Sequence, residues 1–189
     1  VKNWLFKHWE SGHILPGYHI VTAKGYGALI REGEAALEKA DEAHRPFVEA
    51  MLTCNRAAVA YIRRYEAKAA GMAAEETNPE YKAQLEKIAE ACGQIAEGVP
   101  QTFFQAVQLI WLTHEMLYAE NEPASISLGR LDQTLYPFYK KDVEEGRLTY
   151  EEASDYIDAL WIKFSANLHA YQNVTIGGMG PDGRFAANP

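Results

Sequence analysis

Residues 103–118 leave this chain almost no freedom in how it folds, because they present no continuous polar face. Phe103, Phe104, Ala106, Val107, Leu109, Ile110, Trp111, Leu112, Met116, Leu117 and Tyr118 fall all around a helical wheel, with Gln105, Gln108, His114 and Glu115 as interruptions. The run is shorter than the ~20 apolar residues that span a bilayer. It reads as a central helix buried on most sides, so the rest of the chain must supply elements that cover it.

Three other segments have the one-sided patterning such elements need. Between 46 and 72, Val48, Met51, Leu52, Ala58, Ile62, Tyr65 and Ala69 recur at three- and four-residue steps, with Pro46 where a first helical position tolerates it. Between 79 and 96, Tyr81, Leu85, Ile88, Cys92 and Ile95 form a second stripe behind an Asn78-Pro79 cap. Between 149 and 164, Thr149 and Glu152 have capping-box spacing, and Ala153, Tyr156, Ile157, Leu160 and Phe164 make the apolar face.

Two stretches break the helical period. Residues 123–132 alternate apolar and polar after a proline and read as a short strand or extended segment. Residues 171–178, Tyr-Gln-Asn-Val-Thr-Ile-Gly-Gly, are a stronger strand candidate, followed by a Gly180-Pro181-Asp182-Gly183 turn. Few strands among long helices suit an α/β layout with helices packed outside strands.

Composition narrows the function classes. With 189 residues and 48% apolar content the chain suffices for one core, at most two domains. Eighteen Lys and Arg against 26 Asp and Glu leave a net charge of −8. That balance speaks against nucleic acid and against an anionic membrane surface as partners. Val1-Lys2-Asn3-Trp4 does not open a signal peptide, and Cys54 and Cys92 read as reduced thiols of a cytoplasmic protein. The aromatic start and the end just after a glycine-rich turn suggest a piece of something longer.

The chemistry-bearing residues are unremarkable one by one. None of the six histidines pairs at the spacing of a zinc helix, and neither cysteine lies two residues from another ligand, so no metal site is expected. Cys54 and Cys92 fall on or beside apolar stripes, where a cysteine behaves as a small hydrophobe. Ser125 and Ser127 have no nucleophile elbow around them. Glycines 177, 178, 180 and 183 fit neither phosphate-binding nor dinucleotide spacing and read as a structural turn. Alone, His13 is ordinary as a surface or satisfied core histidine.

Taken in order, however, five blocks resemble the glycyl radical enzymes. They are Gly12-His13 with Tyr18 and the Lys24-Gly25-Tyr26-Gly27 helix start; Pro100-Gln-Thr-Phe-Phe-Gln-Ala-Val-Gln-Leu-Ile-Trp111; Ser125-Ile-Ser-Leu-Gly-Arg130-Leu-Asp132-Gln133 with Leu135-Tyr-Pro-Phe-Tyr139; Leu160-Trp-Ile-Lys163; and Tyr171-Gln-Asn-Val-Thr-Ile-Gly-Gly178 with Asp182-Gly183-Arg184. The resemblance covers almost the whole chain. It implies an α/β fold: a mostly helical segment, with few strands, of the family's ten-stranded α/β barrel. Residues 1–189 would then be part of a pyruvate formate-lyase-type domain.

That family uses a backbone glycyl radical, installed by a radical S-adenosylmethionine activating enzyme with a 4Fe–4S cluster, and a thiyl cysteine in a Gly-Cys-Val-Glu run. Neither Leu52-Thr53-Cys54-Asn55 nor Glu90-Ala91-Cys92-Gly93 matches that run, and the chain has no Arg-Val-x-Gly-Tyr for the radical glycine. The resemblance therefore implies no catalytic residue and no cofactor in this chain, which alone would be inactive. What it implies instead is substrate binding by His13, Ser125 and Tyr171, with Arg130 and Asp132 holding their block together by an ion pair or hydrogen bonds. The parent is expected to be a cytoplasmic homodimeric radical dehydratase, decarboxylase or C–X lyase acting on a small polar metabolite. The alternatives are formate C-acetyltransferase and, from another class, a truncated non-catalytic helical assembly module. Ala124 stands where many dehydratase-like members carry a polar residue, which counts against a diol substrate.

Overall fold

The computed structural model describes residues 14–121, 125–166, 173–180 and 182–188. Six helices dominate them: α1 (Tyr18–Lys39), α2 (Arg45–Glu75), α3 (Pro79–Ile95), α4 (Phe103–Asn121), α5 (Leu131–Glu144) and α6 (Tyr150–Ala166), with two short strands, β1 (Gly129–Arg130) and β2 (Val174–Thr175). The chain divides into two compact units, one of residues 19–109 and one of residues 1–18 with 110–189.

In the 19–109 unit, α2 and α3 pack along each other. The buried side of α2 is Leu52, Ala58, Ile62, Ala69 and Ala73, and that of α3 is Ala91, Cys92 and Ile95. This is the stripe the spacing predicts, minus its edges: Met51, Tyr65 and Tyr81 are exposed. Cys54 is exposed as well, so it is not the small core hydrophobe that its place beside the stripe suggests. The Asn78 side chain caps α3 by accepting from the backbone N–H groups of Glu80 (2.9 Å) and Tyr81 (3.3 Å).

Helix α1 breaks at Gly25, whose φ of 71° and ψ of 158° are not helical, and resumes at Tyr26. The break brings the chain onto the turn after α3: Gly27 N donates to the Glu97 carbonyl at 2.9 Å. A Cβ on Gly25 would lie 2.6 Å from the Glu97 carbonyl oxygen, so this contact admits no side chain.

Helix α4 starts in this unit and ends in the other. Its residues 103–118 are all buried or half-buried, including Ala106, Leu109 and Ile110 at no exposure, as its unbroken apolar character requires. In the 110–189 unit the α6 face of Ala153, Leu160 and Phe164 is buried. Its N-terminus is a capping box: Thr149 N donates to Glu152 (2.9 Å), and Glu152 N donates to the Thr149 hydroxyl (3.1 Å).

The extended stretch is shorter than its alternation predicts, because α5 begins at Leu131 rather than after Asp132. Gly129, the first residue of β1, has φ 63°, and a Cβ there would lie 2.6 Å from Leu15 Cδ1. Residues 126–130 are the middle of three parallel segments. Ile14 pairs with Ile126 on one side, and Gly129 and Arg130 pair with Val174 and Thr175 on the other. The hydrogen bonds alternate accordingly: Ser127 N donates to Ile14 O and Leu128 N to Asn173 O, both at 2.8 Å.

Candidate substrate pocket at three parallel segments

Ser125 stands at the entry of the middle segment. It is 2% exposed, followed by Ile126 at 0% and Leu128 at 2%. Alternation puts Ile126 and Leu128 on one face of the segment and Ser125 on the other, and both faces are buried at this point. That hydroxyl accepts a hydrogen bond from the Asn173 side-chain amide at 3.0 Å. The Asn173 backbone is anchored as well, since its carbonyl accepts from Leu128 N (2.8 Å) and from the Ser127 hydroxyl (3.2 Å).

Of the three substrate-binding candidates, Ser125 is the one whose surroundings are described. His13 and Tyr171 lie outside the described residues, as does Ala124. Their chain neighbours are described, however. Ile14, directly after His13, pairs with Ile126, directly after Ser125. Asn173, two residues after Tyr171, bonds to Ser125 itself. The fold thus gathers the segments that follow all three candidates into one parallel array.

Arg130 and Asp132 do hold their block in place, through hydrogen bonds to a hairpin and not through an ion pair with each other. Arg130 donates from Nη1 to the Met179 carbonyl at 2.7 Å. Asp132 Oδ2 accepts from Gly177 N (2.9 Å) and from the Gln133 side chain (3.1 Å), and Gln133 also reaches the Ala186 carbonyl. Burial works to raise the Asp132 pKa, but these donors and the nearby Arg130 charge outweigh it and hold the carboxyl below its usual value. Arg130 Nε and Nη2 and Asp132 Oδ1 are buried without a partner among the described residues.

The glycine cluster is the structural turn its sequence suggests. Gly177, Gly178 and Gly183 have φ of 68°, 85° and 76°. Met179 bridges Phe185 in antiparallel fashion, and Gly180 N donates to Arg184 O at 2.7 Å.

A second polar centre, not singled out by the sequence, lies in the same unit. His114 is 0% exposed, its Nδ1 sits 2.9 Å from the Tyr18 hydroxyl, and its ring packs against Phe164 at 4.8 Å and Trp111 at 6.4 Å. Burial pushes its pKa down to about 4, so it is neutral at pH 7. Its Nε2 has no partner among the described residues. In sequence, His114 looks like an interruption in an apolar helix, and nothing in the spacing marks it.

The two cysteines sit in different surroundings, Cys54 exposed on α2 and Cys92 inside. Cys92 is buried in α3 with its pKa raised to about 11, by burial and then by the Glu66 charge. Among the described residues there is no cluster of three metal-ligating side chains, and no helix is long and apolar enough to cross a membrane.

Known proteins place this geometry. Residues 4–189 match the pyruvate formate lyase-like family. The isethionate sulfite-lyase of Oleidesulfovibrio alaskensis is 34% identical over 90% of this chain and 23% of its own length. The (2S)-3-sulfopropanediol dehydratase of Klebsiella oxytoca is 34% identical over 97% of this chain and 25% of its own. The crystal structure of hydroxyproline dehydratase from Clostridioides difficile, with trans-4-hydroxy-L-proline bound, superimposes with a TM-score of 0.85 at 33% identity, covering 94% of this chain and 25% of that one. The chain therefore spans about a quarter of the length of these relatives. Their barrel is the α/β frame into which helices α1–α6 and the parallel segments fit, and the chain belongs to the pyruvate formate lyase-like family of glycyl radical enzymes.

Proposed function

We propose that this chain forms part of the substrate pocket of a glycyl radical lyase that eliminates water or another leaving group from a small polar metabolite. The observation that carries the reading is the buried Ser125 hydroxyl, held by Asn173 in a parallel array whose other segments follow His13 and Tyr171. A hydroxyl fixed in that way binds a polar substrate in one orientation, which is what elimination at a chosen carbon requires. In this reading His13 donates a proton to the leaving group and Tyr171 lines the wall. The dehydratase and sulfite-lyase relatives support this branch over formate acetyl transfer.

The glycyl radical of the parent, installed by its activating enzyme, supplies the hydrogen abstraction. Neither Cys54 nor Cys92 stands in a Gly-Cys-Val-Glu run, and the Cys92 pKa is raised to about 11, so in this reading the relay falls outside these 189 residues. The parent is a homodimer of the cytoplasm, where both thiols stay reduced.

Calorimetric titration of the full-length, unactivated protein with isethionate, (2S)-3-sulfopropanediol and trans-4-hydroxy-L-proline tests the pocket. Wild type should bind at least one of them, and His13→Ala, Ser125→Ala and Tyr171→Phe should each weaken that binding. Unchanged affinity in Ser125→Ala would refute the reading.

A further inference from the structure

The first of the three parallel segments is short and open. Ile14 and Leu15 are 45% and 64% exposed, so burial of these side chains does little to fix it. Three anchors among the described residues hold it. Its backbone is tied to the middle segment at Ile14, which pairs with Ile126 and accepts from Ser127 N at 2.8 Å. Leu15 lies over Gly129, where a Cβ would come 2.6 Å from its Cδ1. The third anchor is Tyr18, where the backbone N–H donates to Pro16 O at 2.9 Å and α1 begins. Tyr18 is 2% exposed, and its hydroxyl sits 2.9 Å from His114 Nδ1.

His114 is a rigid post for that hydroxyl. It is fully buried on α4, with Phe164 edge-on at 4.8 Å and Trp111 stacked at 6.4 Å, and those two rings meet each other at 5.6 Å. A close-packed interior of this kind transmits a displacement instead of absorbing it. We propose that Tyr18 and His114 are positioning residues for the substrate: their bond sets where the segment of residues 14–18 lies against the Ser125 segment, and so how His13, the residue before Ile14, is presented. The inference rests on the pocket reading above and deepens it. Neither residue touches the substrate in this account; both act through Ile14.

Tyr18→Phe removes the phenol oxygen and keeps the ring. The test is a double-mutant cycle with His13→Ala in the full-length, unactivated protein, titrated calorimetrically with the same three compounds, with thermal melting checking the fold. His13→Ala should weaken binding about tenfold in the wild-type background, as loss of a donor to a polar or charged group does. After Tyr18→Phe the same change should cost about twofold, because the segment no longer holds the histidine in place. Tyr18→Phe alone should therefore weaken binding about fivefold. Ser125→Ala, on the middle segment, should keep its full cost in both backgrounds.

The comparison separates positioning from general loosening. If His13→Ala keeps its full cost after Tyr18→Phe, the positioning role is overturned while the pocket stands. If the costs of His13→Ala and Ser125→Ala fall together, the hydroxyl serves the stability of the fold, and the inference is overturned as well. If Ser125→Ala leaves wild-type affinity unchanged, or wild type binds none of the three compounds, the pocket reading fails and takes this inference with it. Should Tyr18→Phe lose its cooperative melting, His114→Phe replaces it, removing Nδ1 while keeping a ring against Phe164 and Trp111. The His13→Ala cost should then fall to about twofold by the same route. An undiminished cost there overturns the inference.

Discussion

Lowering the pH from about 7 to about 5 should loosen α4, and the cause should be a single imidazole. His114 is fully buried between Tyr18, Trp111 and Phe164, and burial depresses its pKa from 6.5 to about 4. An opened helix returns the ring to water and to its ordinary value. Above about pH 6.5 both states are neutral and the difference vanishes. As pH falls toward 4 the open state takes up a proton that the closed state refuses, so stability is lost with acid. Between pH 7 and 5 the linkage amounts to about 2 kcal/mol, or about 20-fold in the opening equilibrium. The other polar groups around the ring are the Tyr18 phenol and the Lys163 ammonium, which lies 4.9 Å over Trp111. Hydrogen exchange of peptides spanning 103–121 in the full-length protein reads the effect directly. Protection corrected for intrinsic rate should fall about 20-fold in wild type and stay nearly flat in His114→Leu. An equal fall in both proteins, or none in wild type, would refute the reasoning.

Other consequences follow from local geometry. Thr149→Ala removes half of the α6 capping box and should cost about 1 kcal/mol, read as faster exchange across 150–166 with α4 unaffected. Gly25→Ala forces a side chain into a backbone region reserved for glycine and against the Glu97 carbonyl 2.6 Å away, so it should cost at least about 1–3 kcal/mol in thermal unfolding. Gly71→Ala, in α2 with open space around it, should be neutral or stabilising by comparison. The 189-residue chain expressed alone should aggregate, because Val174 and Thr175 form an exposed strand pair partner beside Ile176 and Phe185, which are 73% and 75% exposed. A monodisperse, cooperatively melting monomer on size exclusion would contradict that placement of the strands.

Helices with one apolar face were legible from the sequence because burial and the 3.6-residue period act together there. The Asn78 and Thr149 caps were legible because capping needs particular side chains at fixed offsets. Helix α5 was not read as a helix. Pro137 lies inside it, and Leu135-Tyr-Pro-Phe-Tyr139 has no clear apolar period, so packing decides what propensity does not. Helix α1 is obscured by Gly25 and Gly27, which serve a close approach to residue 97 instead of the helix. Among the candidate site residues, Ser125 is marked by its block, whereas nothing local marks Asn173 as its partner. The Asn173–Ser125 bond joins residues 48 apart in sequence, and a parallel pairing of that range leaves no local mark. The same is true of the Tyr18–His114 pair, 96 residues apart.

The central claim is that a substrate lies against Ser125. A crystal structure of the full-length protein with isethionate or trans-4-hydroxy-L-proline bound tests it most directly. The account predicts a polar substrate atom within hydrogen-bond distance of Ser125 Oγ. A substrate bound elsewhere would contradict it.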